Sequence, residues 1–205
     1  MVADDVLVRK AQSGDRAAYG ELVRRHQDRV YNMALKMLNS PEDARDACQD
    51  TFIRGFKSLG GYDFRAAYTT WLYRIATNVC LDLLRRRGKE QQRTLPLSTR
   101  KNPEMQARDH PPGPEELYVE RERLKNLRRA VGRLPEGYRV ALVLHHYQEL
   151  SYREVAEIME LPEKTVATRI HRAKKMLREQ LLGGETGAVQ DGRGEIKPLS
   201  GRRVQ

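Results

Sequence analysis

Apolar residues recur every three to four positions along two long blocks of this sequence, and a proline-rich stretch separates the blocks. This spacing places the apolar side chains on one face of an α-helix, whereas a strand alternates at every second position. The first block runs from Asp15 to about Arg87, and the second from Glu115 to Leu182. Five prolines lie between them, at Pro96, Pro103, Pro111, Pro112 and Pro114. We therefore predict an all-α fold of two small helical domains joined by a flexible linker.

The domain boundaries follow from where this periodicity begins and fails. We predict a first domain over residues 1–90, a linker over 91–118, a second domain over 119–182 and a tail over 183–205. The tail holds six of the fifteen glycines and almost no apolar stripe, so we expect it to be disordered. Inside the first domain, Ser40 is a suitable helix cap and Pro41 suits a first helical turn, so one helix should end and another begin there.

The charge balance points to a polyanionic partner. The chain has 38 Lys and Arg against 28 Asp and Glu, a formal net charge of +10. Such an excess favours nucleic acid, with an anionic membrane surface as the alternative. Apolar runs of only a few residues predict no membrane insertion, and an N-terminus unlike a signal peptide favours the cytoplasm. Cys48 and Cys80 lack a CxxC spacing, so we expect packing residues of a reducing compartment.

No pattern in the sequence is typical of an enzyme or a cofactor site. His145 and His146 are adjacent, so on a helix they point about 100° apart, which does not suit a metal pair. No HExxH motif or cysteine cluster accompanies them. The chain also lacks a P-loop, a GxGxxG motif and a nucleophile elbow. We expect no catalysis, no cofactor and no metal.

The strongest local pattern is a helix-turn-helix near the C-terminus. Ser151 and Glu154 have the spacing of a capping box, so a helix should start there, and Leu161-Pro162 should begin the turn. Thr165 is a candidate cap for the second helix. The buried stripe of that helix should be Val166, Ile170, Ala173, Leu177 and Leu181. The opposite face carries side chains suited to bases and phosphates, namely Thr168, Arg169, His171, Arg172 and Lys175. A solvated basic face on a bundle helix is the alternative.

The first domain carries two further candidate surfaces. One helix should turn Phe52, Ile53 and Phe56 inward and present an outer acidic patch of Glu42, Asp43, Asp46, Gln49 and Asp50. This patch indicates either a basic protein partner or salt bridges to neighbouring arginines. Further along, aromatic residues crowd a loop and the start of a helix that ends in Arg85-Arg86-Arg87, and rings beside cations suit unpaired bases. We expect Trp71 in the core, but Tyr62 and Phe64 outside it.

Together these features resemble the extracytoplasmic-function (ECF) sigma factors of the sigma-70 family. The resemblance is carried by DARDACQDTFIRGF, TTWLYRIATNVCLDLLRRR, LPEGYRVALVLHHYQELSYREVA and TVATRIHRAKKMLREQL. TWLYRIATN and TRIHRAKK are most similar to the subgroup that answers cell-envelope stress. The resemblance implies a factor that binds core RNA polymerase and directs promoter recognition, DNA melting and transcription initiation, for a stress regulon. A one-component helix-turn-helix regulator that acts without the polymerase is the alternative.

The resemblance also implies a role for each surface. Core polymerase would be bound through Asp43, Asp46, Gln49, Asp50 and Phe52. The promoter −10 element would be bound through Tyr62, Asp63, Phe64, Arg65 and Asn78. The −35 element would be read through Thr165, Thr168, Arg169, His171, Arg172 and Lys175. An anti-sigma factor is implied as a further partner. Lys164 stands where the family commonly has glycine, and Ala167 stands where it commonly has lysine or arginine. We therefore do not expect this chain to recognise the subgroup's usual promoter by default.

We predict that Arg172→Ala lowers transcription from the promoter and leaves core binding intact, because this side chain is assigned to DNA alone. An arginine that reads a base typically contributes about 1–3 kcal/mol, so promoter affinity should fall about tenfold or more. Run-off transcription and a titration against core polymerase measure the two effects separately. Equal loss of both would contradict the assignment.

Overall fold

A computed structural model describes residues 2–94 and 115–185 of the chain. In these ranges the backbone forms helices and connecting turns, with no strand, which confirms the all-α prediction. In chain order the α-helices are α1 (Asp4–Gln12), α2 (Arg16–Leu38), α3 (Pro41–Ser58), α4 (Tyr68–Thr94), α5 (Glu115–Gly132), α6 (Glu136–Tyr147), α7 (Tyr152–Met159) and α8 (Glu163–Glu185). A short 3-10 turn, Leu59–Gly61, follows α3.

Helices α1 to α4 pack around a shared apolar core. The Asp15 carboxylate caps α2 by accepting the backbone N–H of Ala18 at 3.0 Å. The Ser40 side chain caps α3, with Pro41 as its first residue, which confirms the predicted helix boundary. The core is filled by large side chains that include Leu22, Val30, Met33, Met37, Leu72 and Val79. Local capping thus sets where α2 and α3 begin, and apolar burial sets how they pack.

The second group of helices contains the predicted helix-turn-helix, formed by α7 and α8. The Ser151 side chain accepts the N–H of Glu154 at 3.2 Å, and the Glu154 carboxylate accepts the N–H of Ser151 at 2.8 Å. This is the predicted capping box. Glu160 ends α7 in the left-handed conformation, with φ of +53°. The two helices are held together by the buried side chains of Val155, Ile158, Val166 and Ile170.

The two groups of helices pack directly on each other and share one apolar cluster. The Arg74 guanidinium on α4 donates to the carbonyl oxygen of Glu157 on α7 at 2.8 Å. The Lys36 ammonium lies 4.6 Å from the centre of the Tyr147 ring. Arg139 on α6 is buried, and this burial lowers the pKa of its guanidinium. The described part of the chain is therefore in a closed arrangement.

The helices differ from the prediction at three places. Helix α1 was not predicted, although Leu7, Val8 and Ala11 bury one of its faces. Helix α4 extends into the predicted linker, so residues 91–94 are helical. Helix α5 begins at Glu115, where the periodicity predicted a helix, although residues 115–118 were assigned to the linker. Glutamate, glutamine and arginine have high helix propensity even where no apolar stripe is present, which explains the extension of α4. Helix α8 likewise extends into the predicted tail, at 183–185. The remainder of the linker and the tail lies outside the described residues.

The prediction of inward-facing apolar residues was wrong at several positions. Ile53 and Phe56 are 45% and 47% exposed, and Leu181 is also exposed. Helix α3 approaches its neighbours through small side chains such as Gly55, whose added Cβ would lie 3.0 Å from the Tyr19 hydroxyl. Large side chains at the edge of that contact therefore stay uncovered. Thr165 is not the cap of α8, because the helix begins two residues earlier at Glu163.

We predict that Ser151→Ala lowers the free energy of unfolding by about 1 kcal/mol, because the N-terminal amides of α7 lose their cap. Chemical denaturation of the full chain measures this loss. Ser58→Ala is the matched control, since the Ser58 hydroxyl donates to carbonyls of its own helix, those of Arg54 at 2.8 Å and Gly55 at 3.5 Å, and caps no helix. Its effect should stay within about 0.5 kcal/mol. An equal loss in both variants would contradict the capping role.

Candidate nucleic-acid and protein interfaces

The polar face of α8 lies on the surface of the helix-turn-helix. Thr168, His171, Arg172 and Lys175 are exposed, whereas Thr165 and Arg169 are half-buried. The Thr168 hydroxyl donates to the Lys164 carbonyl oxygen at 2.9 Å, so it is engaged with its own helix. The six predicted DNA-binding residues therefore lie on successive turns of one helix, with Arg172 and His171 open to solvent. A helix with such a face can enter a major groove.

A groove of about 640 Å³ lies between the start of α6 and the start of α8. Its cationic side chains are Lys164, Arg169 and Arg172. The Arg169 guanidinium lies against Gly137 on α6, where an added Cβ would meet its Nη1 at 2.9 Å. Arg169 therefore turns back toward α6, while Arg172, which also lines the groove, remains exposed to solvent.

The loop between α3 and α4 is built around Tyr62. Sequence reasoning placed Tyr62 outside the core, and this was wrong, because its side chain is only 5% exposed. The ring lies 4.8 Å from that of Phe64 and 5.3 Å from that of Trp71, measured between ring centres. The Tyr62 hydroxyl donates to the carbonyl oxygen of Ala66 at 2.7 Å, which closes the loop. In this arrangement Tyr62 supports the loop and does not offer its ring to a ligand.

The outer surface of the same loop carries the other predicted residues. Phe64 is half-buried and left-handed, with φ of +62°. Asp63 and Arg65 form an exposed ion pair, with 2.9 Å between guanidinium and carboxylate. Asn78 lies on the exposed face of α4. The loop thus presents an aromatic ring and a cation side by side, which are suited to stacking and to phosphate neutralisation.

Helix α1 holds this loop in place, and sequence reasoning missed its contribution. The Gln12 amide donates to the carbonyl oxygens of Leu59 and Tyr62, at 2.9 Å each. The Arg9 guanidinium lies 4.2 Å from the centre of the Phe64 ring, a cation–π distance. The sequence does contain a pattern that indicates α1. Acidic residues lie in the first turn of this helix and basic residues in the last, an order that stabilises a helix.

A second groove, of about 710 Å³, lies between α2 and α3. Its wall includes Ile53 and Phe56, the two large side chains of α3 that stay half-exposed. Its floor includes Phe52, which is buried, and Tyr19, whose ring meets that of Phe56 edge-on at 5.0 Å. A contiguous exposed apolar surface of this kind is typical of a protein-binding site.

The acidic patch of α3 reaches this groove only at Gln49, and part of the patch is used internally. Asp43 forms an ion pair with Arg87 of α4, and Asp50 pairs with Arg54 at 2.8 Å. Salt bridging, the alternative left open by the sequence, thus accounts for these two carboxylates. Asp46 and Gln49 are exposed, and Gln49 lines the groove. Of the five predicted core-binding residues, Gln49 and Phe52 line the groove, whereas the three carboxylates do not. The exposed apolar side chains of the groove were not anticipated.

Neither cysteine is activated, and His145 is held by a local contact. Cys48 and Cys80 are free thiols. Burial raises the pKa of both, that of Cys80 to about 12, so neither is activated as a thiolate. Nδ1 of His145 lies 2.7 Å from the carbonyl oxygen of Leu150. Among the described residues no cluster of three potential metal ligands occurs, and no helix has the length and apolar composition to cross a membrane.

Comparison with known families assigns a class to each group of helices. Residues 22–90 match sigma-70 region 2, and residues 124–177 match sigma-70 region 4. The ECF RNA polymerase sigma factor SigW of Bacillus subtilis is 32% identical over 176 residues, covering 85% of this chain and 94% of SigW. The chain therefore belongs to the ECF sigma factors of the sigma-70 family. As a sigma factor, it binds core RNA polymerase and directs transcription initiation at promoters.

Solved structures support the same fold. CnrH, in complex with the cytosolic domain of CnrY, aligns with a TM-score of 0.66 and 27% identity, over 89% of this chain and 99% of CnrH. The sigma factor RpoE of Bartonella quintana, in complex with the anti-sigma factor NepR, aligns with a TM-score of 0.61 and 20% identity, over 80% of this chain and 96% of RpoE. Because a one-component regulator does not require a region 2, that alternative is not favoured.

We predict that Tyr62→Ala destabilises the fold by about 3–5 kcal/mol, because it removes a buried aromatic ring. Phe64→Ala should cost only about 1 kcal/mol, since that ring is half-buried. Thermal unfolding of the two variants compares these losses, with Phe64 as the matched aromatic control from the same loop. If the two variants unfolded alike, Tyr62 would not be the supporting residue of the loop.

Proposed function

We propose that this sigma factor uses three separate surfaces. The groove between α2 and α3 binds core RNA polymerase, the loop over 62–67 with α4 binds the −10 element, and α8 reads the −35 element. The proposed domains remain 1–90 and 119–182, with region 2 and region 4 functions respectively. The observation that carries the proposal is the half-exposure of Ile53 and Phe56 in a groove with a polar rim, because a sigma factor needs a protein-binding surface distinct from its DNA-binding faces.

The polymerase surface combines an apolar groove with a polar rim. Ile53 and Phe56 supply the area that gains most from being covered, while Phe52 forms the floor beneath them. The rim includes the polar side chains of Gln49, Asp28, Arg45 and Lys57. Asp46 is exposed on α3 outside the groove. Charges of both signs can orient a partner that carries the complementary pattern. This arrangement has the anatomy of a protein interface, with an apolar centre and a polar edge.

The −10 surface follows from the loop between α3 and α4. Phe64 and Arg65 present a ring and a cation at its outer edge, and Asn78 offers an amide on α4. A base that leaves the duplex loses its stacking and needs a new surface, which an aromatic ring supplies. Tyr62 takes part by holding the loop in shape from inside. Asp63 fixes Arg65 through their ion pair.

Binding of both promoter elements requires the two groups of helices to separate. The −35 and −10 elements lie about 25 base pairs apart, which corresponds to about 85 Å along B-form DNA. The longest described helix, α4 with 27 residues, spans only about 40 Å, and the two groups of helices are packed directly on each other. The contacts of α4 with α7, such as Arg74 to Glu157, therefore belong to a state that precedes promoter binding.

We further propose that this chain binds an anti-sigma factor. We also propose that the chain directs transcription of a stress regulon. Support comes from its likeness to sigma factors whose solved structures contain a second protein, CnrY in one and the anti-sigma factor NepR in the other. The same groove between α2 and α3 would suit such a partner, because its apolar wall is uncovered in the chain alone.

We predict that Ile53→Ser weakens core binding about tenfold, because residues at the centre of an interface contribute most of its energy. Val6→Ser on α1 is the matched control, since Val6 is also an aliphatic residue that is 45% exposed but lies outside the groove. A fluorescence titration of the labelled chain with core polymerase measures both affinities. Transcription from a promoter should fall with Ile53→Ser at limiting concentration and recover in excess.

Two outcomes would contradict the proposal. Equal core affinity of Ile53→Ser, Val6→Ser and the unchanged chain would remove the groove from the polymerase interface. Initiation that proceeds equally well when the chain is omitted from purified core polymerase would show that it does not supply promoter recognition.

A further inference from the structure

Gly137 on α6 lies directly beneath the guanidinium of Arg169. A Cβ built at Gly137 would be 2.9 Å from Nη1 and 3.2 Å from Cζ of Arg169. The first distance is shorter than real Cβ contacts, so the arginine could not keep its position over any other residue. The clashing atoms belong to the far end of a flexible side chain, so a substitution would move Arg169 without disturbing the backbone.

The backbone at this position does not itself require glycine. Gly14 is the one described glycine with a positive φ, so Gly137 has a conformation that other residues adopt readily. It lies in the first turn of α6, where alanine has the higher helix propensity by about 1 kcal/mol. The helix would therefore be at least as stable with alanine. What glycine provides here is room for the Arg169 side chain.

The position of Arg169 differs from that of the other arginine of the recognition surface. Both arginines line the groove between α6 and α8, but Arg169 is half-buried with its guanidinium against Gly137, whereas Arg172, one turn further along, is exposed. When a recognition helix enters a major groove, its exposed side chains meet base edges, and the protein beside the helix faces the phosphate backbone that borders the groove. A guanidinium held back against α6 is therefore placed toward phosphate, and the exposed guanidinium of Arg172 toward base edges.

We propose that Gly137 is a positioning residue for Arg169, and that Arg169 neutralises a backbone phosphate of the −35 duplex without reading a base. This inference rests on the proposed −35 surface and assigns different tasks to its two arginines. Phosphate contacts fix the position of a protein on DNA but carry no sequence information, while base contacts supply the specificity. Arg172 keeps the base-reading role, and Gly137 acts only through Arg169.

The test uses the full chain assembled with core polymerase and two promoter duplexes that differ only in the −35 sequence. Arg169→Ala should weaken binding to both duplexes by the same factor, about fivefold, and lower the slope of log affinity against log salt by about 0.9, the value of one phosphate contact. Arg172→Ala should instead reduce the preference for the correct duplex about tenfold. The two substitutions thus separate phosphate from base contacts.

Gly137→Ala should reproduce the Arg169→Ala phenotype in the same direction, with an unchanged or higher melting temperature. In the Arg169→Ala background, Gly137→Ala should have no further effect on affinity. Gly20→Ala in α2 is the matched control, because no atom lies within 4 Å of a Cβ added there. It should leave both affinities unchanged.

Several results would overturn the inference. These are a sequence-dependent loss for Arg169→Ala, an unaltered salt slope, no loss for Gly137→Ala, or a Gly137→Ala loss that persists without Arg169. If the proposed −35 surface itself were wrong, a different result would be obtained, because Arg172→Ala would then leave the preference between the two duplexes unchanged.

Discussion

The close approach of α3 to α2 and α4 determines much of the rest of the structure. Gly55 allows this approach, since a Cβ there would lie 3.0 Å from the Tyr19 hydroxyl. That hydroxyl donates to the carbonyl oxygen of Phe52 at 2.6 Å, and burial raises the pKa of Tyr19 to about 12, which keeps the donor protonated. Small residues at the contact leave Ile53 and Phe56 uncovered at its edge. The same packing that stabilises the first bundle therefore creates its apolar groove.

Sequence reasoning succeeded where local chemistry determines structure. The caps at Ser40 and Ser151 and the turn at Leu161-Pro162 follow from side chains within a few residues of one another. It failed where neighbours distant in sequence decide which side chains are covered. Tyr62 has the local setting of an exposed loop residue, but Gln12, fifty positions away, and Trp71 of the next helix enclose it. Periodicity identifies the apolar face of a helix, but it does not show how much of that face the neighbouring helices cover.

The candidate sites show the same division. Composition and spacing predicted that α8 carries a cationic face and α3 an acidic one, and both faces are present. The different orientations of Arg169 and Arg172 could not be predicted, because they depend on a glycine that lies on another helix. Nor could the internal pairing of Asp43, which needs Arg87 of α4. Residue type thus indicates which ligand a surface suits, whereas tertiary contacts decide which of its side chains are available.

The polar contacts between the two groups of helices are of a kind that polymerase binding can replace. Arg74 donates from an exposed position, and a cation–π contact such as that of Lys36 with Tyr147 contributes only about 0.5–1 kcal/mol at an accessible site. Arg139 is buried, and its Nε has no hydrogen-bond partner among the described residues, which opposes the closed arrangement. Burial of shared apolar surface favours that arrangement, while Arg139 regains hydration when the groups part. In the proposed opening on polymerase binding, the loss of this shared apolar contact would therefore be offset in part by the hydration of Arg139.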